Sequence, residues 1–235
     1  MGVKAINTLR EILNGFHFDN LLDILLSVIP ALLCITLHEL SHGLVAYALG
    51  DDTAKNEGRL TLNPLKHLDP MGLLMMVVFH FGYAKPVPVN MMKFKNPKRG
   101  MAVTALAGPA SNFIIAVVFF FLTGFFFPKL SGSAAGGYVL DMLIITAQLS
   151  LMLCLFNLIP IPPLDGSKLL FSVLPNRAYW KLLHYERYGT ILMIALVMLG
   201  ALNGLLSAAE NAVMNWLLPV LHLGVQLGGK VFGLT

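Results

Sequence analysis

Residues 34–50 read Cys34-Ile-Thr-Leu-His38-Glu39-Leu-Ser-His42-Gly-Leu-Val-Ala-Tyr-Ala-Leu-Gly50, inside an apolar run that extends from Leu21 to Leu49. About 20 apolar residues suffice for a helix to cross a bilayer, so this run reads as a span holding three ionisable side chains within five positions. Such groups are costly in hydrocarbon and mark function there; packing alone does not explain them. On a helix, His38 and His42 lie one turn apart on one face and can reach a single zinc ion. Glu39, beside them, can act as general base toward water at that ion.

The rest of the chain fits a membrane setting. Of its 235 residues, 57% are hydrophobic and only 12% charged, against about 25% charged in soluble chains, and mean hydropathy is +0.75. That excludes a soluble enzyme, a disordered tail and a nucleic-acid binder. The implied fold class is an all-α polytopic membrane protein with about five transmembrane helices: Leu21 to Leu49, Met101 to Phe127, Gly137 to Ile159, Tyr188 to Ser207 and Ala212 to Leu227. Met71 to Tyr83 is apolar but too short to cross as a helix, and reads as a re-entrant segment. In Tyr83-Ala-Lys-Pro-Val-Pro-Val-Asn90, two prolines on one edge leave Lys85, Val87 and Val89 on the other, which suits an edge strand in a small cytoplasmic β-hairpin. The division is a surface segment over 1–20 without a cleavable signal, a core over 21–207 with the re-entrant and hairpin stretch at 71–100, and a C-terminal span and tail over 208–235. Cys34 and Cys154 both lie in apolar runs, which rules out a disulfide framework.

Basic residues set the orientation. Residues 51–100 carry eight Lys and Arg, residues 160–187 four and the tail one, which leaves three for the opposite side. The positive-inside bias then places the N-terminus outside and the C-terminus in the cytoplasm, as a multi-pass protein of the cell membrane. His42 falls roughly 12 Å from the helix end near Gly50 at 1.5 Å per residue, so the metal sits inside the hydrocarbon near the cytoplasmic face.

Two histidines do not complete a catalytic zinc site, which takes three protein ligands. Asp165, in Asn157-Leu-Ile-Pro-Ile-Pro-Pro-Leu-Asp-Gly166 at the end of another span, is the best third. The prolines end regular helix, and Gly166 lets the backbone turn the carboxylate inward. The competing reading is a turn-forming Asp-Gly pair.

His38-Glu39-Leu-Ser-His42-Gly, Gly50-Asp51, Gly58-Arg59-Leu-Thr-Leu-Asn63-Pro64, Ala84-Lys85-Pro86-Val-Pro88-Val-Asn90, Ala107-Gly108-Pro109-Ala-Ser-Asn112 and Asn157 through Gly166 follow one another in that order. Together they closely resemble the site-2 protease family of intramembrane zinc metalloproteases, in its compact group without a PDZ domain, over roughly residues 25 to 200. The resemblance implies one Zn2+ per chain held by His38, His42 and Asp165, Glu39 as base, and transmembrane proteins or peptides as substrates. It makes Asn157 a clamp for substrate backbone or an oxyanion donor, against an inter-helix polar contact. The Lys85, Val87 and Val89 edge is offered to unwound substrate by strand addition, against a simple plug. His67 is placed at the site mouth or left as a loop histidine. Asn112 reads as packing beside Gly108-Pro109, and Cys34 as small apolar packing. The bilayer is the other partner; a homo-oligomer is neither required nor excluded. The rival function is a non-proteolytic zinc-binding membrane protein, a transporter or sensor, but the relay of intramembrane ionisable groups that transport needs is not visible.

Overall fold

The computed structural model describes residues 21–69 and 84–234. Among these the chain is mostly helical: α1 Leu21–Ala48, α2 Thr53–Asn56, α3 Pro97–Leu130, α4 Ala134–Asn157, α5 Asp165–Ser172, α6 Asn176–His184, α7 Glu186–Met198 and α8 Asn203–Phe232. The surface segment 1–20 and the re-entrant stretch 71–83 fall outside the described residues.

The helix ends follow local chemistry. Asn96 caps α3, its side chain accepting the Arg99 N–H at 3.2 Å with Pro97 in the first turn. Ser133 caps α4 through the Gly136 N–H at 3.1 Å. The end of α1 is a Schellman motif: Gly50 takes a left-handed φ of 104°, Gly50 N–H bonds to Tyr47 C=O at 3.0 Å and Asp51 N–H to Ala46 C=O at 2.9 Å. That closure fixes where Asp51 stands relative to the histidine helix.

By length and apolar composition α1, α3 and α4 can each cross a bilayer, and α7 with α8 can do so as one broken span. The sequence divides this last region differently. Tyr188 to Ser207 is not one helix: α7 stops at Met198, Gly200 adopts a left-handed φ of 65°, and α8 leaves at 81° from Asn203 instead of Ala212. With 13 residues, α7 is about 20 Å long, too short to cross about 30 Å of hydrocarbon.

α3 is the hub, touching α1, α4, α5 and α8. Its Ala116 and Phe120 form the main core with Ile144, Ala147 and Leu151 of α4 and Leu217 of α8. Further along, Gly124 and Gly228 let the α3 and α8 backbones meet: a Cβ on either would strike Leu221 C=O or Phe125 C=O. Small residues at such crossings bring backbones close enough to gain dispersion contacts in lipid, where apolar burial alone drives nothing. At the far end Lys129 Nζ lies 5.0 Å over the Phe232 ring and Phe125 packs on the same ring.

These contacts advance together along both helices, so α8 runs parallel to α3. Its C-terminal end therefore stands at the Lys129 end of the bundle, opposite residues 51–69 and 84–100, and not on their side as the basic-residue count suggests. Only Lys230 speaks for the tail in that count, and one residue weighs less than the packing of a whole helix. A second apolar group of Ile159, Leu164, Met193 and Leu202 seats α7 under the turn that leads to Asp165.

The strand expected over Lys85 to Val89 is an extended segment without a strand partner among the described residues; Leu68 and Ala84 make one isolated antiparallel bridge. Its hydrogen-bonding groups go elsewhere, as described below.

The parallel arrangement is checked by cross-linking in membranes with a short bismaleimide. The pair Lys129→Cys and Phe232→Cys should couple efficiently, and Lys129→Cys with Asn203→Cys should not; the opposite pattern would mean an antiparallel α8.

Candidate metal centre

α1 carries His38 and His42 on the face turned to α3, and the first turn of α5 brings Asp165 to them; all three are buried. His38 Nε2 and His42 Nε2 are 3.0 Å apart. Asp165 Oδ2 lies 3.2 Å from the first and 3.1 Å from the second. These three atoms form a nearly equilateral triangle. Ligands at about 2.0–2.1 Å from a tetrahedral zinc ion stand about 3.3 Å apart, so the donor set has the right size as well as the right chemistry.

Proton positions make the case sharper. His42 Nδ1–H donates to Thr104 C=O at 2.7 Å, which leaves its Nε2 as a bare lone pair. The Asn112 side-chain amide meets His38 Nδ1 at 3.0 Å, and Asn112 Oδ1 as placed is buried without a partner. Turning the amide over lets His38 Nδ1–H donate to Oδ1 and frees His38 Nε2 as well. Two lone pairs and a carboxylate oxygen then converge with no proton between them, and Asp165 Oδ2 has no donor. A buried group of this kind is suited to hold a cation. It is the one cluster of three or more such ligands among the described residues.

Two α3 residues that the sequence assigns to packing belong to this centre. Asn112 orients His38, as partners of metal-bound histidines do. Gly108 faces the rings: a Cβ there would collide with Nε2 of both histidines. Neither role has a local signature, because each partner lies more than sixty positions away. Gly166 also acts otherwise than expected. Its φ is not left-handed; the missing Cβ lets α5 start against the Leu158 and Ile159 carbonyls. Cys34 is spent on α4, its Sγ 3.0 Å from Ser150 Oγ.

Glu39 projects from the same helix, and its Oε2 accepts the Val87 N–H at 2.8 Å. His38, Glu39, His42 and Asp165 line a cavity of about 260 Å³ together with Val87, Val89, Asn157 and Lys168. Lys168 has no precedent in the sequence reading. Asn157 donates one amide N–H to Leu153 C=O at 2.9 Å. Lys85 and His67 do not border the cavity. Lys85 N–H is taken by His67 C=O at 2.9 Å, and the fully buried His67 ring donates from Nε2 to Thr61 C=O at 2.9 Å. The donors of Lys85 and Val87, expected to await a substrate strand, are thus already bonded within the protein.

Asp51 holds the far end of this segment, accepting the Asn90 N–H at 2.6 Å and bonds from Thr53. Burial pushes the Asp51 carboxyl up, but bonds from Thr53 and Asn90 and the Lys93 charge outweigh it, and the net pKa is lowered. The stability this anchor contributes is complete above the unfolded value of about 3.9 and fades only as pH falls through the lower folded value. It is therefore constant across neutral pH.

A family model described as peptidase family M50 matches residues 125–202, the stretch that carries Asn157 and Asp165. The chain is 44% identical to YwhC of Bacillus subtilis, over 72% of this chain and 78% of that protein. The chain belongs to peptidase family M50. Two further relatives show a similar likeness: Rip2 of Mycolicibacterium smegmatis, named a putative zinc metalloprotease, is 32% identical over 73% of this chain and 66% of its own length. Zinc metalloprotease MJ0392 of Methanocaldococcus jannaschii is 32% identical over 94% of this chain, which spans about half (51%) of that longer protein. No solved structure matches the chain.

Two substitutions test the centre by metal content. Gly108→Ala should displace the rings and cut zinc per purified chain at least severalfold, with helicity unchanged. Asn112→Leu should weaken zinc affinity about 10- to 100-fold, whereas Asn112→Asp, which keeps an oxygen facing His38 Nδ1, should stay near wild type. Equal losses for Leu and Asp would reverse the assignment of the Asn112 amide.

Proposed function

We propose that the chain hydrolyses peptide bonds of membrane-embedded protein segments, with zinc held by His38, His42 and Asp165 and with Glu39 as general base. One observation carries this reading: two imidazole nitrogens and a carboxylate oxygen converge within 3.0–3.2 Å on the wall of a cavity that the Glu39 carboxylate also lines. Zinc held there supplies Lewis acidity, bringing the pKa of water to about 7 and polarising a carbonyl. Glu39 accepts the proton of the attacking water and returns it to the departing amine. The Asp165 charge and two neutral imidazoles limit the net charge buried with a divalent ion. Asn157 keeps a second amide N–H beyond its bond to Leu153, and with Val89 it is suited to hold substrate backbone in the cavity. A substrate helix has its carbonyls already bonded, so it must unwind locally before attack, and cavity polar groups take over the freed backbone.

His42 stands six residues before the α1 end at Ala48, about 9 Å along the axis. The centre is thus close to the face formed by residues 51–69 and 84–100, from which water reaches it. Residues 51–100 and 160–187 hold twelve of the sixteen basic residues, which argues that this face is cytoplasmic. The parallel α8 then sends the C-terminal end outside, giving four crossings by α1, α3, α4 and the broken α7–α8 pair instead of five. Transport is disfavoured, since no second ligand group continues from the centre among the described residues.

Zinc per chain and cleavage of a model transmembrane substrate should be measured for wild type and Glu39→Gln in detergent. The expected result is zinc near one per chain in both and cleavage by wild type alone; wild type without zinc would overturn the site. For sidedness, a cysteine appended to the C-terminus should react with an impermeant maleimide on intact cells. Labelling only after permeabilisation would restore a cytoplasmic tail.

A further inference from the structure

We propose that Arg59 and Asp51 are positioning residues for Glu39, acting on it through the backbone of residues 84–90; this rests on the reading of Glu39 as general base. A glutamate has several rotatable bonds, and fixing it in one rotamer costs conformational entropy. The only protein donor to Glu39 among the described residues is the Val87 N–H, at 2.8 Å from Oε2. One carboxylate oxygen is thereby held, and the other remains for the proton.

That donor belongs to the Pro86–Val87 peptide unit, and the carbonyl of the same unit accepts from Arg59. Arg59 Nη2 lies 3.3 Å from Pro86 O and 2.7 Å from Lys85 O. A cation therefore bonds one end of a peptide plane and an anion the other. Each bond is charge-assisted, and each polarises the plane so as to strengthen its opposite. Arg59 is only 5% exposed and has no carboxylate partner among the described residues. Burying an unpaired guanidinium is expensive, and these two carbonyls are what it is buried against.

Pro86 and Pro88 contribute no N–H of their own, so the segment cannot be held by a ladder on that edge. It is fixed instead at points: Lys85 N–H on His67 C=O at 2.9 Å, and Asn90 N–H on Asp51 at 2.6 Å. Asp51 itself is set by the Schellman closure of α1. The base and the strap that aims it are thus referenced to one helix end, and the Glu39 carboxylate is oriented from two sides of the same element.

The test measures zinc per chain, kcat and KM for Arg59→Gln, alone and in a Glu39→Asp background, where the shortened carboxylate no longer reaches the Val87 N–H. Arg59→Gln should lower kcat about tenfold, with KM within about twofold and zinc retained. In the Glu39→Asp background it should cost less than about threefold, because the coupled residue is already disengaged. Equal losses in both backgrounds would overturn the proposal. Should Arg59→Gln lose zinc, Val87→Pro decides, since it deletes the N–H and leaves Arg59 intact. A tenfold fall in kcat with zinc retained upholds the proposal, and wild-type kcat overturns it. A Glu39→Gln protein that cleaves like wild type would instead remove the underlying reading of Glu39, an outcome these variants cannot mimic.

Discussion

Everything near the cavity is arranged around one electrostatic constraint: His38, His42 and Asp165 bring two imidazole nitrogens and a carboxylate oxygen together in a buried place. Left to themselves such atoms repel, and burial in hydrocarbon sharpens that repulsion. The fold answers by fixing each from behind. Thr104 C=O holds His42, Asn112 holds His38, and the seat of α5 against the Leu158 and Ile159 carbonyls holds Asp165. The supporting groups lie on α3 and the 158–164 turn, so the centre joins three parts of the chain that are distant in sequence. α3 is consequently both the packing hub and the source of the groups that back the two histidines. Its glycine at position 108 leaves room for both imidazole rings.

The same economy governs the edges of the site. α7 is too short to cross the bilayer, yet its contacts with Ile159 and Leu164 support the turn that delivers Asp165. The extended segment 84–90, with its prolines, gives its donors to His67, Glu39 and Asp51. Along the cavity wall the Val87 N–H is already bonded to Glu39.

Much of this was legible in the residues. The motif at His38–His42 works through spacing on a single helix, so local periodicity is enough to read it. Asp165 was reached by the turn chemistry of its proline-rich loop and by the order of motifs that resembles the site-2 protease family. What escaped depends on distance or direction. The partners of Asn112 and Gly108 lie on another helix, so both looked like packing. Arg59 and Asp51 sit in a loop whose target is a backbone, which no side-chain pattern reveals. The break at Gly200 lies within apolar sequence, and hydropathy does not register a bend. The direction of α8 rests on glycine contacts with α3, while the charge count had a single lysine with which to decide it.

The most direct measurement of the central claim is X-ray absorption at the zinc edge on the purified protein. The account expects first-shell scattering from nitrogen and oxygen alone at about 2.0–2.1 Å, with the outer-shell signature of two imidazoles. A sulfur shell at about 2.3 Å would bring Cys34 or Cys154 into the coordination sphere. That result, or a count of imidazoles other than two, would contradict the assignment of His38, His42 and Asp165.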